Sequence, residues 1–342
     1  MMNCFYSAFI IPNSSFQIMA EATPIRQDTR ARQKLNFMDY APTYGAGAAL
    51  ALLVILNLVF TPGFASIDNF RNILVQVTPT MLVAIGMTFV IATGGIDLSV
   101  GSIMAIASAV AAVSLDYGAG AAILIGLAVA TGVGAFNGIL IAGFKIQPII
   151  ITLAMLIAGR GIAQVISNGG QLIPFSNPSF EFFGKGDLFG IPVQIIVLVA
   201  VVLLAVFLLR STIFGRYVAA VGGNETAARL SGIPTNRTKV TVYALSGLLA
   251  GIAGLIYTAR LGAADASRVG ETIELDAIAA TVVGGTPLTG GRATIIGTVI
   301  GALIMVVIST SINMNDYKYS WSLVIKAAII LLAVYLQRPK TA

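Results

Sequence analysis

The sequence contains no histidine and a single cysteine, Cys4, and only 10% of its residues are charged. The missing histidine removes the commonest general base, the commonest metal ligand and any Ser-His catalytic triad. One cysteine builds neither a disulfide framework nor a cysteine metal site. Soluble domains carry about a quarter charged residues. The low charge, set beside 57% hydrophobic residues, therefore places most of the chain in a bilayer. A net charge of +6 raises nucleic acid as a partner. The basic residues flank apolar runs, however, and orientation in a membrane accounts for them better than nucleic-acid binding.

A membrane helix needs roughly 20 apolar residues. On that measure the expected fold class is all-α, a polytopic membrane helix bundle with about ten spans. These are near 44–60, 73–93, 99–115, 119–142, 147–166, 190–209, 239–259, 275–288, 293–311 and 320–337. The eighth is short and broken by glycine. Residues 1–40 read as a disordered cytoplasmic tail and 41–342 as the transmembrane domain. Met19 would make an ordinary start, with residues 1–18 either a tail or upstream of the true start. Thirteen of the twenty Lys and Arg residues fall on the side that holds both termini in this ten-span reading. By the positive-inside rule that side is the cytoplasm. Glycines repeat at four-residue spacing at Gly134 and Gly138, Gly247 and Gly251, and Gly297 and Gly301. Such pairs let helix backbones approach closely in lipid. Pro79 lies inside the second span, where it removes a helical hydrogen bond.

Two stretches interrupt the apolar runs in the same way. Gly94-Gly95-Ile96-Asp97-Leu98-Ser99-Val100-Gly101 and Gly284-Gly285-Thr286-Pro287-Leu288-Thr289-Gly290-Gly291 share one skeleton. It reads Gly-Gly, two residues, Leu, Ser or Thr, one residue, Gly. Matching broken helices in two halves of a membrane chain mark a transport pathway between internal repeats. The freed backbone groups must face protein or a water-filled path. Gly94, Gly95, Asp97, Ser99, Gly101, Asn137, Gly284, Gly285 and Thr289 are thus the candidate pathway or gate residues. Asp97 is an intramembrane carboxylate, a class of residue that is costly and usually functional. It also suits the start of the helix that follows, as a cap that shapes the loop, and Ser99 shares that role. The amides of Asn137, Gln147, Gln164, Asn168 and Gln171 suit either a polyol or plain interhelical hydrogen bonds. Lys326, inside the last span, is expected to snorkel to the outer face, with Asp316 a conceivable partner.

The loop 210–239 has the grammar of a small folded element. Residues 211–221 read as a helix that stops at Gly222-Gly223. Asn224 is a good N-cap and Glu225 favours a first helical turn. Ala227, Ala228 and Leu230 continue the helix, Gly232 stops it, and Pro234 prevents its extension. A short helix with matched start and stop signals suits docking into a groove of another protein. Gly215, Arg216, Gly222, Gly223, Asn224, Glu225, Ala227, Ala228 and Gly232 are the candidate docking residues.

The run from Gly86 to Ser102, GMTFVIATGGIDLSVGS, resembles the permeases of bacterial ribose and related sugar ABC importers. The stretch from Gly215-Arg216-Tyr217 to Gly232-Ile233 is similar to that family's cytoplasmic coupling region. The run from Glu274 to Gly285, ELDAIAATVVGG, resembles a third signature shared with branched-chain amino acid permeases. The resemblance covers residues from about 44 to 337. It implies a permease subunit in the bacterial inner membrane, paired with a second permease copy. Two ATP-binding cassette subunits would drive it, and a periplasmic sugar-binding protein would feed it. No cofactor is expected in this chain. Gly222-Gly223-Asn224-Glu225-Thr226 is not a Walker A loop, because no Lys-Ser or Lys-Thr follows at the needed spacing. ATP is therefore expected on the partner. Two other readings are a branched-chain amino acid permease of the same superfamily and an ion-coupled secondary transporter.

Overall fold

The computed structural model describes residues 41–318 and 320–336. The tail 1–40, Met19 and the terminal basic residues Arg338 and Lys340 lie outside the described residues. Within these limits the chain is helical, with strand confined to pairs of two-residue segments. Helix α1 covers Ala41–Phe60, α2 Ile67–Ala92, α3 Val100–Val113, α4 Ala119–Phe144 and α5 Pro148–Ile166. Strand β1 (Ile173–Pro174), α6 (Pro178–Lys185), and the strands β2 (Asp187–Leu188) and β3 (Ile191–Pro192) lead to α7 (Val193–Ser211). Then come α8 (Ile213–Gly223), α9 (Glu225–Leu230) and α10 (Thr235–Leu261). Strand β4 (Ala263–Ala264), α11 (Ile273–Val283), α12 (Ile295–Met314) and α13 (Ser320–Leu336) complete the order.

Each expected span falls on a helix, but the spans are not equal. Among the described residues seven helices are long and apolar enough to cross a membrane: α1, α2, α4, α5, α7, α10 and α12. The other three are shorter. At about 1.5 Å per residue, α3 with its 14 residues is about 21 Å long. The 11 residues of α11 give about 16 Å, against roughly 30 Å of hydrocarbon. The expected eighth span, 275–288, stops as helix at Val283, since Gly285 takes a φ of 97° that ends it. Sequence hydropathy counts apolar residues, and it cannot distinguish a rod that spans from a half-helix packed inside a bundle.

Burial sorts the helices into an inner and an outer set. From Val77 to Ala92 helix α2 carries no charge and is buried almost continuously, on every face. That is the pattern of a central helix. Around it stand α10, α11 and α12, with α3 packed against α10. The outer helices α1, α4, α5 and α7 leave large apolar side chains exposed, among them Phe60, Phe136, Ile157 and Leu203. In a bilayer these face lipid or another protein. Pro79 sits within the unbroken run of α2.

The three glycine pairs lie at helix crossings. A Cβ on Gly134 of α4 would overlap the carbonyl of Tyr243 on α10 and sit 3.0 Å from the Gly247 Cα. A Cβ on Gly138 would lie 2.7 Å from the Val240 Cα, and one on Gly251 2.6 Å from the Ala130 Cβ. Gly297 and Gly301 seat α12 on Gly284 and Ala280 in the same way. Lys326 does not reach for the surface: it is 6% exposed and its ammonium donates to both Asp276 oxygens at 3.0 Å. Its partner is therefore on α11, and Asp316 is not needed. Pairing inside the bundle avoids the cost of a lone charge in lipid.

Substituting Gly134→Ala should lower the thermal stability of the purified protein by about 1–3 kcal/mol, since its new methyl has no room. The neighbouring Gly132→Ala, where a Cβ meets nothing within 4 Å, should leave it unchanged or raise it. Unfolding curves in one detergent measure both.

Candidate functional site

The two glycine breaks, far apart in sequence, touch each other. The amide of Gly291 donates to the carbonyl of Ala92, the last residue of α2, at 2.9 Å. A Cβ on Gly290 would lie 2.9 Å from the Gly94 nitrogen. The breaks leave backbone groups without helical partners, and this contact satisfies some of them inside protein, as hydrocarbon requires.

The third party to this contact is the end of α8. A Cβ on Gly222 would overlap the Ala92 oxygen and would come 2.5 Å from the Gly291 nitrogen. Gly222 therefore sits directly on the hydrogen bond that joins the two breaks. Gly223, one residue on, would meet nothing within 4 Å. Helix α8 is held there by its apolar face. Gly215, Val218 and Val221 are buried, and Phe214 packs on Phe89 of α2 with ring centroids 5.8 Å apart. Thr212 starts it by accepting from the Gly215 amide at 3.4 Å. Arg216 is on its exposed side.

Helix α9 is six residues long, and its cap is the one expected, with the Asn224 side chain accepting from the Ala227 amide at 2.9 Å. Gly232, at φ 80°, ends the segment. Glu225 accepts from Arg229 at 3.2 Å and from Lys239 of α10 at 2.6 Å. Burial pushes its carboxyl up, but the Lys239 hydrogen bond and the charges of Lys239 and Arg229 outweigh burial. The net result is a value below the ordinary 4.5. The two alanines of α9 part company: Ala228 is buried against its own chain, while Ala227 and Leu230 face outward. Leu230, 85% exposed, is the large apolar group on that outward face.

Beyond the first break the chain turns into α3 through a closed polar cluster. Asp97 Oδ1 accepts from the Ser99 amide at 3.0 Å and from the Ser99 hydroxyl. Its Oδ2 accepts from Ser246 near the middle of α10, at 2.9 Å. Asn137 of α4 donates to the Ser99 hydroxyl at 2.9 Å. All four side chains are fully buried. The Asn137 carbonyl and the Tyr243 hydroxyl stand close by without a partner. The side chain that shapes the loop is thus Asp97, and Ser99 makes no side-chain cap bond to α3. Gly101 follows at a tight approach, where a Cβ would overlap the carbonyl of Gly270.

The second break is built on threonine. Thr294 donates to the Gly284 carbonyl at 3.2 Å and lies 3.1 Å from the Thr286 hydroxyl. One turn deeper, Thr88 of α2 meets Thr298 of α12 at 2.7 Å, with Thr281 of α11 at 3.5 Å. Thr289 is exposed. The structure brings Gly94, Gly284, Gly285 and Gly222 to one end of the bundle and gathers Asp97, Ser99 and Asn137 deeper inside. Gln164, Asn168 and Gln171 belong to the end of α5 and the loop after it, apart from both groups.

Sequence reasoning missed Ser246, Tyr243 and the roles of Thr88, Thr281, Thr286, Thr294 and Thr298. A Ser or Thr hydroxyl in a helix can satisfy itself on the carbonyl four residues back, as Thr88 does on Ala84 at 2.8 Å. Its sequence position therefore gives no sign of a partner on another helix. Arg160 was missed for a related reason. It lies inside α5, and its guanidinium donates to the carbonyls of Ala266 and Val269 at 3.0 and 2.7 Å, holding the loop between α10 and α11.

A family model described as the permease component of branched-chain amino acid transport systems matches residues 69–334. The chain belongs to that permease family. The ribose import permease of Escherichia coli (strain K12) is 43% identical over 298 residues, which are 85% of this chain and 92% of the relative. The ribose import permease of Bacillus subtilis (strain 168) is 42% identical over 314 residues, 91% of this chain and 97% of the relative. The galactofuranose transporter permease of Escherichia coli (strain K12) is 43% identical over 299 residues, covering 84% and 87%. With its seven long apolar helices, this member of the permease family is a multi-pass membrane protein. Both glycine breaks, the Asp97 cluster and α8–α9 lie within the matched region.

Replacing Asp97 by alanine leaves three buried donors without their acceptor. Charged hydrogen bonds contribute about 1.5–3 kcal/mol each, so Asp97→Ala should lower stability by about 3 kcal/mol or more. Asp97→Asn, which keeps an acceptor, should lose less; thermal unfolding of the two variants decides the order. The Glu225 tether should respond to acid. A depressed folded value contributes stability fully above the ordinary 4.5, and that contribution is lost as pH falls through the depressed value. In a Cys4→Ser background, a spin label at Leu230→Cys should therefore show constant mobility down to pH 6 and gain mobility only in stronger acid. Adding Glu225→Gln should abolish the transition.

Proposed function

We propose that this chain is the membrane subunit of an ATP-driven sugar importer, forming the path for a monosaccharide delivered by a periplasmic binding protein. The sugar class rests on the relatives, whose names specify ribose and galactofuranose. That favours sugar over the branched-chain amino acids in the family's description. The geometry that carries the transport reading is the seat of Gly222. A surface helix whose end presses on the bond between two broken membrane segments can pass a displacement from outside the bilayer to the interior.

In this reading a separate ATP-binding cassette subunit hydrolyses ATP and docks on the outward face of α9, at Ala227 and Leu230. This chain binds no cofactor. A second permease copy completes the path. The reading puts α8, α9 and both termini in the cytoplasm of an inner-membrane protein, and the basic residues of the 210–239 loop support that side for α8 and α9. Closure of the ATPase pair moves α9, α8 carries the motion to Gly222, and the breaks at 94–101 and 284–291 shift against each other as the gate. The Asp97 cluster holds the start of α3 on α10 while they do so. Selection belongs mainly to the binding protein, so weak sugar contacts suffice along the path.

The test is uptake into proteoliposomes containing this chain, its ATPase subunit and the binding protein. Sugar should accumulate with ATP and without an ion gradient. Gly222→Ala should cut uptake about tenfold or more, within the range of allosteric coupling energies, while ATPase association survives. Gly223 is exposed and a Cβ there meets nothing within 4 Å, so in this reading Gly223→Trp should weaken association instead. Uptake by the chain alone, or driven by an ion gradient, overturns the reading.

A further inference from the structure

We propose that the pocket between the α4–α5 turn and α9 binds the phosphate headgroup of an anionic phospholipid. The pocket has a volume of about 370 Å³, within the range that holds small ligands. Three cations line it, Lys145 from the turn, Arg229 from α9 and Lys239 from α10, against one carboxylate, Glu225. That carboxylate is already engaged, since its two oxygens accept from Arg229 and Lys239. It fixes the two cations in place and leaves the pocket with a net positive charge.

The backbone adds to this field. Lys145 holds the left-handed conformation at φ 56° and ψ 32°, which reverses the chain directly after α4. Helix α5 then opens on Pro148, and the Gln147 side chain makes no capping bond to it. Both Gln147 and Pro148 line the pocket, so the positive end of a 19-residue helix lies at its wall. Helix ends of this sign favour phosphate.

The rest of the pocket distinguishes a lipid from a free phosphate. Ile141, Ala142 and Ile146 give it an apolar side. Just outside, Phe144 and Ile150 are 70% and 57% exposed on the outer helices α4 and α5. A headgroup among the cations would lay its acyl chains along these side chains. A soluble phosphate or nucleotide has no use for them. Basic pockets between membrane helices on the cytoplasmic side favour acidic headgroups. The proposal does not depend on which solute the protein carries.

The experiment measures lipid retained by the purified full chain, after exchange into nanodiscs holding phosphatidylglycerol and phosphatidylcholine in equal parts, by native mass spectrometry. Phosphatidylglycerol should be enriched on the protein. Lys145→Asn removes a charge yet suits the left-handed turn. Arg229→Gln removes another and leaves Glu225 its bond to Lys239. Each should weaken retention about fivefold, with unfolding temperature as the control for intact structure. Four outcomes overturn the proposal. One is equal retention of the two lipids, and another is retention unaffected by both substitutions. The third is displacement of phosphatidylglycerol by millimolar inorganic phosphate, which assigns the site to a free anion. The fourth is loss of the lipid whenever the ATPase subunit binds, which assigns the cations to that partner's carboxylates. Uptake assayed in parallel separates this result from the importer reading, because lipid retention is scored without transport.

Discussion

A helix that stops inside a membrane leaves backbone groups with nowhere to go, and this protein's architecture answers that constraint. Ala92 and Gly291 satisfy one another across the two breaks, Thr294 takes the carbonyl of Gly284, and Asp97 takes the amide of Ser99. Lipid offers no hydrogen bonds, so these pairings have no solvent substitute. The breaks can exist only because they are assembled against each other. Gly222 gains its position from the same constraint. There a segment outside the spanning helices presses on the bond between the joined breaks, and the close approach leaves no space for a side chain.

The remaining polar groups of the interior follow the same logic on smaller scales. Lys326 and Asp276 neutralise each other between α13 and α11, Arg160 caps a loop that returns into the bundle, and threonines join α2, α11 and α12. Each lies at the short helix α11 or at the loop that leads into it. Where the uninterrupted helices α4 and α10 cross each other, glycines let the backbones pack closely. The bundle thus has a tight apolar frame and a polar seam, and the seam contains the elements that transport would have to move.

Along the 210–239 loop, rigidity and exposure alternate. Helix α8 is buried on one face and clasped to α2 through Phe214 and Phe89. Helix α9 is tied to α10 by Glu225 and Lys239, yet it turns Leu230 outward. A lever needs both a stiff body and a free end. The basic pocket behind α9 shares Glu225, Arg229 and Lys239 with this tether, so a lipid seated there would act on the lever's fixed side.

Much of this was legible in the sequence, and for definable reasons. Apolar runs disclosed the membrane bundle because hydropathy is a local property. The two glycine skeletons, the four-residue glycine pairs and the Asn224 cap were legible because backbone conformation and close approach demand particular residues at particular spacings. The chain alone could not say that α3 and α11 are half-helices, that Ala228 faces in while Leu230 faces out, or that Lys326 chooses Asp276. Nor could it reveal that a side chain has no room at Gly222, against the breaks, yet has open space at Gly223. Those facts depend on which distant segments meet, and such meetings leave no trace in local composition. Sequence periodicity set the elements; only packing in three dimensions decided their partners, because a buried polar atom takes whatever group the fold brings within reach.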